Sequence, residues 1–222
     1  MRLLILGATG RTGRQLLDQG LAAGHALTAF ARRPAVLGVY ATRLRVCQGD
    51  VTDPASVTRS VADQDAILSA LGSPTLRRNT VLSDGVGHVL AAMREHRVSR
   101  LLCMSSLGVG ETRGQLGPLY NLVLLPLLLR HIFAEKERME TVIRASTTDW
   151  TIVRPGALTN GPARGRYRAA LVDVHPPAFP RISRADVAAF MLRETVERRF
   201  VRQAVGLSDE RSQPPAAAGA PI

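Results

Sequence analysis

Three glycines near the start of the chain have the spacing of a nucleotide-binding loop. The segment "GATGRTG" places Gly7, Gly10 and Gly13 directly after a short apolar run. In such loops the first glycine permits a tight turn, the second lets backbone N–H groups approach a diphosphate, and the third permits close helix packing. The spacing G-x-x-G-x-x-G is one residue wider than G-x-G-x-x-G. The segment predicts phosphate binding, but by itself it does not identify a coenzyme.

Two arginines at the end of the second predicted strand indicate which dinucleotide fits. NAD sites usually have an acidic residue there for the ribose hydroxyls, whereas NADP sites need cations for the 2′-phosphate. The chain has Arg32 and Arg33 in "ARRP", with no carboxylate beside them. Because a guanidinium matches phosphate geometry well, we expect NADP(H) to be preferred over NAD(H).

Short apolar segments alternate with helical patterns along most of the chain. Strands are predicted within residues 2–6, 25–33, 43–50, 66–72, 98–106, 149–158 and 203–208, and the last of them follows a helix predicted over 182–197. Asp53 and Pro54 have the residue types that begin a helix. Strands alternating with helices predict an α/β fold, a doubly wound Rossmann-type parallel sheet with helices on both faces.

The chain length suits one domain. We expect a Rossmann domain over residues 1–208 that includes a small C-terminal substrate-side region, followed by a disordered Pro/Ala-rich tail over 209–222. The first apolar run is too short for a signal peptide, so a cytoplasmic protein is expected. We expect a monomer or a homodimer.

Composition argues against several classes of partner. The formal charge is +11, yet the basic residues are scattered and aromatic residues make up only 4% of the chain, so no nucleic-acid partner is expected. Cys47 and Cys103 lie in separate strand-like segments and are expected to be buried free thiols. The histidines lack metal-ligand spacing, so no metal is expected. Among 29 basic residues only Lys136 is a lysine.

The apolar stretch at residues 119–133, "LYNLVLLPLLLRHIF", has two interpretations. Its uninterrupted apolar part is shorter than a membrane span requires and contains Pro126, so no membrane span is expected. In the first, it is a helix or loop buried against the sheet. In the second, it is an apolar surface that lines the substrate site or forms a dimer interface.

Several motifs together resemble a known family. "GATGRTG", "ARRP", "GDVTD", "LSALG", "CMSS", "DWTIVRPGALTNGP" and "ISRADVAAFML" occur in the order found in atypical short-chain dehydrogenase/reductases of the NAD(P)H-binding, NmrA-like group. Within that group the chain is most similar to the flavin reductase/biliverdin-IXβ reductase type. The resemblance extends over nearly the whole chain, to about Ser208.

The resemblance implies a set of cofactor-binding positions. The glycine loop and the arginines would bind phosphates, "GDV" would flank the adenine, and the ends of the later strands would line the nicotinamide. The implied residues are Gly7, Thr9, Gly10, Arg11, Thr12, Gly13, Arg32, Arg33, Asp50, Val51, Leu71, Gly72, Ser105, Lys136, Pro155, Gly156 and Ala157. Ser106 is the first candidate for a hydroxyl that orients substrate, and Ser105 and Lys136 are the other catalytic candidates.

One position departs from the family pattern. Short-chain dehydrogenases commonly use a Tyr-x-x-x-Lys pair in which tyrosine passes a proton to a carbonyl oxygen. Lys136 matches the lysine, but Ile132 stands where tyrosine would be. Lys136 either serves the cofactor or is a surface lysine facing Glu140. Tyr120 and Glu135 are lesser candidates for a replacement acid, and structural roles are favoured for both.

These observations predict an NADPH-dependent oxidoreductase. It would reduce a planar, largely apolar small molecule, such as a flavin, quinone or enone, by direct hydride transfer. The alternatives are a non-catalytic NADP(H)-binding redox sensor of the NmrA type, which the missing tyrosine permits, and an isomerase or dehydratase that retains its cofactor.

Overall fold

Eight strands form one sheet in a computed structural model that describes residues 1–40, 42–73, 75–114, 127–171 and 180–210. The order across this sheet is β3-β2-β1-β4-β5-β6-β10-β8. The strands are β1 (Arg2–Leu6), β2 (Ala26–Ala31), β3 (Arg45–Gln48), β4 (Ala66–Ser69), β5 (Arg100–Met104), β6 (Asp149–Pro155), β8 (Tyr167–Leu171) and β10 (Gln203–Asp209). A separate two-stranded sheet joins β7 (Ala157–Thr159) to β9 (Arg181–Ser183).

In the described ranges, five α-helices connect and cover the strands. They are α1 (Arg11–Ala22), α2 (Pro54–Val61), α3 (Val81–Glu95), α4 (Arg130–Arg144) and α5 (Arg184–Glu197), and two 3₁₀ segments lie at Pro34–Tyr40 and Gly110–Thr112. The predicted α/β, doubly wound, single-domain fold with helices on both faces is confirmed. The strand order reverses between β1 and β4, and ligands bind at the carboxyl edge of such a reversal.

Side chains of the central strands alternate between two hydrophobic cores. Leu3 and Ile5 of β1 pack into the core that also contains residues of α1 and α5. Leu4 and Leu6 point to the other face, which packs against α2, α3 and α4. Because both faces are covered, the strands are almost continuously apolar, as expected for a parallel sheet.

The parallel registers align the strand ends at one edge of the sheet. Leu6 pairs with Phe30 on one side and with Ser69 on the other. Ser69 in turn pairs with Cys103. The segments that follow β1, β2, β4 and β5 therefore emerge along a common edge, which brings together residues that are far apart in the sequence.

Helix starts follow from local chemistry. Asp53 caps α2 by accepting hydrogen bonds from the backbone N–H groups of Ala55 and Ser56, and Pro54 occupies the first turn as predicted. Ser183 caps α5 by accepting from the N–H of Asp186. The first turn of α3 is capped from another helix, because Glu135 of α4 accepts from the backbone of Leu82 and Ser83.

Two predicted elements have other bounds in the structure. The strand predicted over 149–158 is interrupted at Gly156, so that β6 ends at Pro155 and β7 joins the small sheet. A Cβ on Gly156 would lie 2.3 Å from the Pro180 carbonyl oxygen, which explains why the chain turns away at a glycine. The predicted helix over 182–197 begins two residues later, because Ile182 belongs to β9.

The antiparallel strand β8 at the sheet edge was not predicted. Its sequence "YRAAL" lacks a continuous apolar run, and its residues are only half-buried, as at many sheet edges. Strand β10 continues to Asp209, one residue beyond the expected domain boundary. Residues 211–222 of the expected tail lie outside the described part of the chain.

Within the described ranges, no helix has the length and apolar character needed to cross a membrane. Most of the apolar stretch, residues 115–126, is not among the residues described. In its described remainder, the side chains of Leu127 and Leu128 are exposed, at 73% and 55%. No group of metal-ligating side chains occurs among the described residues.

Candidate active site

The glycine loop, residues 7–13, makes a turn that side chains would obstruct. Gly7 has φ +75°, and a Cβ there would lie 2.7 Å from the Ala70 carbonyl oxygen at the end of β4. A Cβ on Gly13 would lie 2.1 Å from the Gly7 carbonyl oxygen. The turn is closed by the Gly10 N–H, which donates to that same oxygen at 2.9 Å. The loop therefore passes close to both β4 and its own helix.

Helix α1 begins without the caps that α2 and α5 have. Its N-cap is Gly10, no side chain accepts hydrogen bonds from its first turn, and that turn contains no acidic residue. Arg11 is exposed at this end, whereas the side chain of Thr12 is buried. The first N–H groups of a helix and its dipole attract anions, so this end of α1 can bind a phosphate group.

A cavity of about 410 Å³ adjoins the glycine loop. It opens where β1, β2, β3 and β4 end, at the reversal of strand order. Most of the residues predicted for the adenosine and phosphate part of a dinucleotide line it. The lining residues are Gly7, Thr9, Gly10, Phe30, Arg32, Gly49, Asp50, Val51, Thr52, Ala70, Leu71, Gly72 and Val81.

Arg32 and Asp50 face each other across this cavity. The Arg32 Nη1 and Asp50 Oδ2 atoms are 4.0 Å apart, and the Arg32 side chain is 70% exposed. Asp50 accepts hydrogen bonds from the N–H and the hydroxyl of Thr52, and these bonds, more than the charge of Arg32, lower its pKa. Arg33 is exposed and is not among the lining residues. Of the two predicted arginines, Arg32 is the one that can reach a ligand in the cavity.

The remaining predicted residues lie at the ends of β5 and β6. The Ser105 N–H donates to the Val153 carbonyl at 2.7 Å, and the Leu107 N–H donates to the Pro155 carbonyl at 3.0 Å. The segment after β5 therefore continues alongside β6 and keeps both serines next to the 155–157 loop. Ser106 is half-buried, whereas Ser105 is only 1% exposed. Ser105 Oγ has no hydrogen-bond partner among the described residues.

Lys136 contacts this serine segment directly. Its ammonium donates a hydrogen bond of 3.0 Å to the Ser105 carbonyl oxygen. Burial lowers the pKa of Lys136 to about 8, and the negative charge of neighbouring Glu140 partly opposes that shift. Burial also raises the pKa of Cys103 to about 12, so this thiol stays protonated and neutral. Lys136 is thus an amine that can gain or lose a proton near physiological pH.

No tyrosine of the described residues takes over the missing position. Ile132 lies one helical turn before Lys136 and carries no proton. The Tyr40 hydroxyl donates to Asp18, and Tyr167 packs against Arg193. Tyr120 lies outside the described residues.

Glu135 has a structural role, as favoured from the sequence. Its side chain is fully buried, it caps α3, and it forms an ion pair with Arg138 at 2.5 Å. It is therefore not a free acid near the Lys136 ammonium.

A buried ion-pair network beside Lys136 was missed from the sequence. Arg154 of β6 is fully buried, and its guanidinium binds both carboxylate oxygens of Glu140. Its Nη1 atom lies 2.7 Å from the Glu111 carboxylate, which also pairs with Arg144. Glu140 is thus not a surface partner of Lys136. An arginine inside the apolar strand "WTIVRP" was the available signal, because a buried charge requires a partner.

Arg184 is a second residue that the sequence reasoning missed. Its Nη1 atom donates to the Leu158 carbonyl at 3.2 Å and to Asn160 Oδ1 at 2.7 Å. Burial and then the positive charge of Arg11 lower its pKa. Two guanidiniums thus approach each other between the glycine loop and β7. Neither pairs with a carboxylate among the described residues, so the arrangement can accept an anion.

Both cysteines and one cavity-side histidine have defined surroundings in the structure. Cys47 and Cys103 are both free thiols, and Cys103 is buried as expected, whereas Cys47, near the sheet edge in β3, is only half-buried. The described histidines include His88, whose Nδ1 is 2.9 Å from the Val51 carbonyl oxygen. That contact fixes the segment beside the cavity to α3.

Comparison with known proteins assigns the chain to a family. A family model described as NAD(P)H-binding matches residues 7–197. A chloroplastic protein of Arabidopsis thaliana without a characterised function is 31% identical over 178 residues, covering 74% of this chain and 61% of the relative. The reductase pytE of Aspergillus terreus is 27% identical over 242 residues, covering 88% and 92%.

Two further matches are named as reductases. The (4-alkanoyl-5-oxo-2,5-dihydrofuran-3-yl)methyl phosphate reductase of Streptomyces griseus is 28% identical over 153 residues, covering 69% of this chain but only 46% of the relative. The structure of ChuY, an anaerobilin reductase of Escherichia coli O157:H7, superposes with a TM-score of 0.81 at 23% identity, covering 96% of this chain and 100% of ChuY.

This match confirms the fold independently of the sequence motifs. Three of the related proteins reported above are thus named as reductases. With the family model matching most of its length, this chain belongs to the NAD(P)H-binding family of atypical short-chain dehydrogenase/reductases.

Proposed function

We propose that this protein is an NADPH-dependent reductase of a planar, largely apolar small molecule, such as a flavin, a quinone or an enone. The observation that carries the proposal is the arrangement of one sheet edge. The glycine loop after β1 and the Lys136–Ser105 contact after β5 are separated by β4 alone. A dinucleotide with its diphosphate at α1 would extend its nicotinamide toward that contact.

The residues around the cavity fit a dinucleotide phosphate. The uncapped first turn of α1 and the glycine loop would bind the diphosphate, with Thr9, Gly10, Arg11, Thr12 and Gly13 nearest to it. Arg32 would bind the 2′-phosphate, because its guanidinium is exposed and, among the described residues, its one ion-pair partner is Asp50, 4.0 Å away. The adenine would lie against Asp50 and Val51. This arrangement supports NADP(H) over NAD(H).

The nicotinamide half would lie beyond Leu71 and Gly72, along the ends of β5 and β6. Ser105, Ser106 and the loop from Pro155 to Ala157 form that part of the edge. A bound NADPH supplies a hydride to the acceptor. The chain's own residues would position the acceptor, with the half-buried Ser106 as the hydroxyl that orients it.

The direct test is acceptor-dependent oxidation of coenzyme. The purified protein is incubated with NADPH or NADH and a panel of flavins, quinones and enones, and the loss of reduced coenzyme is followed by absorbance. We expect NADPH to be consumed faster than NADH with at least one acceptor. Mass spectrometry of any retained nucleotide gives an independent identification of the coenzyme. A panel that leaves NADPH unchanged would overturn the proposal.

Two variants separate binding from turnover. We expect Arg32→Ala to weaken NADPH binding by about tenfold or more while NADH binding changes little, since only NADPH has the 2′-phosphate. We expect Ser106→Ala to lower the turnover rate without changing the dissociation constant of NADPH. Equal losses for both coenzymes in Arg32→Ala would contradict the NADP assignment.

A second candidate function is an NADP(H)-binding regulator without turnover. Ile132 at the usual tyrosine position favours it, because an isoleucine cannot transfer a proton. This candidate predicts tight coenzyme binding, a protein partner whose affinity differs between NADP+ and NADPH, and no acceptor-dependent oxidation. The acceptor panel therefore distinguishes the two functions.

A further inference from the structure

We propose that Lys136 is the proton donor that replaces the missing tyrosine, delivering a proton to the acceptor as the hydride arrives. The proposal rests on the reductase function proposed above. It assigns to Lys136 a direct chemical role, beyond the supporting role that lysine has beside a catalytic tyrosine.

The position of the ammonium supports this role. Lys136 extends from α4 to the carbonyl oxygen of Ser105, 3.0 Å away, at the end of β5. The residue as a whole is half-buried, and it is the burial of its ammonium that lowers its pKa. Within the described part of the chain, the Ser105 carbonyl is the one hydrogen-bond acceptor of its three N–H bonds. The other two can point toward a ligand at the same sheet edge.

The surrounding charges leave the ammonium without a carboxylate partner. On α4 itself, Glu140 is one helical turn from Lys136, but both of its oxygens bind Arg154 of β6. On β5, the neighbouring Cys103 thiol is buried and neutral. Glu135, the other buried acid of α4, binds Arg138 and the start of α3. Lys136 therefore pairs with no carboxylate among the described residues and is easier to deprotonate than an exposed lysine.

Arg154 acts in this scheme as a positioning residue. It holds Glu140 away from Lys136, and through Glu111 it also fixes the segment that continues from the two serines. A Cβ on Gly110 would lie 2.4 Å from Arg154 Nη2, so this segment packs directly on the guanidinium. The same ion pairs thus hold the serine segment in place and keep the lysine free to donate.

The proposed step transfers one hydride and one proton to the acceptor. The acceptor gains a hydride, which carries two electrons, from the bound NADPH, and NADPH is oxidised to NADP+. An electronegative atom of the acceptor gains the proton from the Lys136 ammonium, leaving a neutral amine. Water then returns a proton to the amine before the next turnover.

The single lysine of the sequence makes a direct measurement possible. Protein labelled with ¹³C at the lysine ε carbon gives one lysine side-chain signal, since Lys136 is the only lysine. We expect this signal to titrate with a midpoint near 8, well below the ordinary lysine value of 10.5. A midpoint at or above 10.5 would overturn the proposal, and this readout requires no bound coenzyme or acceptor.

Substitutions then test the chemical role. Lys136→Met removes the proton, and Lys136→Arg keeps a positive charge and hydrogen-bond donors but does not release a proton near neutral pH. We expect both to lower kcat by about 10²–10⁴-fold, the usual contribution of a general acid. Wild-type kcat should fall above the pH at which the lysine signal titrates. Glu137→Gln, an outward-facing change at the next position of α4, is the matched control and should keep wild-type kcat.

The outcomes distinguish this proposal from the reductase function. If Lys136→Arg has the same turnover rate as the wild-type protein, a positive charge at this position is sufficient, and the proton-donor role is wrong. If Lys136→Met retains the wild-type kcat and pH profile, the role is also wrong, although the reductase function stands. If the wild-type protein shows no acceptor-dependent NADPH oxidation, the reductase function itself fails, and the proton-donor role fails with it.

Discussion

Arg154 and Glu140 form a doubly bonded ion pair inside the protein, between β6 and α4. The Arg154 Nε atom donates to Glu140 Oε1 at 3.0 Å, and Nη2 binds the second carboxylate oxygen. The two side chains are 0% and 4% exposed. This pair joins the end of β6 to the helix that carries Lys136. It therefore links the stability of the fold to the geometry of the proposed active site.

Removing one member of this pair should be costly. We expect Arg154→Met to lower the free energy of unfolding by about 3–5 kcal/mol, because it leaves the buried Glu140 carboxylate uncompensated. Glu140→Gln should cost less, because Arg154 keeps its ion pair with Glu111. Urea denaturation followed by circular dichroism measures the change. The matched control is Arg2→Gln, which breaks the exposed ion pair with Asp65 and should change the free energy of unfolding far less, because water screens that pair. If Arg154→Met lowered the free energy of unfolding as little as Arg2→Gln, the buried ion pair would not have the stabilising role described.

Lys136 should make stability depend on pH in a defined direction. Its pKa is about 8 in the folded protein against an ordinary 10.5, so between these values the unfolded chain binds more protons than the folded protein. The free energy of unfolding attributable to Lys136 therefore rises as pH increases through this range.

The comparison of wild type with Lys136→Met isolates this effect from other titrating groups. We expect the variant to be more stable at neutral pH by roughly 2 kcal/mol. This is less than the free energy equivalent to the whole pKa shift, because Lys136 is only half-buried. The advantage should disappear at alkaline pH, where the lysine is neutral in both states. Denaturant titrations at a series of pH values measure it, and a stability difference that does not change with pH would rule out the shift.

Gly13 should not tolerate even a methyl group. Its Cβ would lie 2.1 Å from the Gly7 carbonyl oxygen, so Gly13→Ala must move the glycine loop or α1. We expect a loss of about 1–3 kcal/mol in unfolding free energy and a marked weakening of NADPH binding. Calorimetry measures both.

Gly87→Ala in α3 is the matched control for the same chemical change. A Cβ at Gly87 would meet no atom within 4 Å, so alanine should raise helix stability by about 0.5–1 kcal/mol and leave NADPH binding unchanged. If Gly13→Ala behaved like Gly87→Ala, the close packing of the glycine loop would not matter for the site.

Arg184 should contribute to anion binding together with Arg11. Because Arg184→Gln removes a charge that Arg11 repels, the free protein should lose little stability. We expect the dissociation constant of NADPH to rise about tenfold, equivalent to about 1.4 kcal/mol, if the pair binds the coenzyme diphosphate. Arg193→Gln, on the same helix but packed against Tyr167, serves as control. An unchanged dissociation constant in Arg184→Gln would exclude Arg184 from coenzyme binding.

Much of the fold could be predicted because local signals and the global structure agree. The apolar run of β1, the Asp53 cap with Pro54 and the glycine loop each depend on neighbouring residues in the sequence. The alternation of such strands and helices along the sequence then predicted the doubly wound sheet, and with it the sheet edge at which the predicted site residues meet. The edge strand β8 was missed because its half-buried, arginine-containing sequence has no such signal.

The buried partners of charged residues could not be predicted in the same way. Arg154 requires a partner, but "EKERME" offers several acids, and only the packing of α4 on the sheet shows that Glu140 binds it while Glu135 caps α3. The approach of Arg184 to Arg11 likewise depends on how α5 packs beside α1. Such contacts join distant segments, so they follow from the fold and not from spacing in the sequence.

The most direct test of the central claim is the rate of NADPH oxidation by the wild-type protein with and without an acceptor. The proposed function predicts that a flavin, quinone or enone accelerates the loss of NADPH in proportion to the amount of protein, and that NADH is a poorer donor. A rate that no acceptor increases, in a protein that nevertheless binds NADPH, would contradict the reductase function and favour the regulatory one.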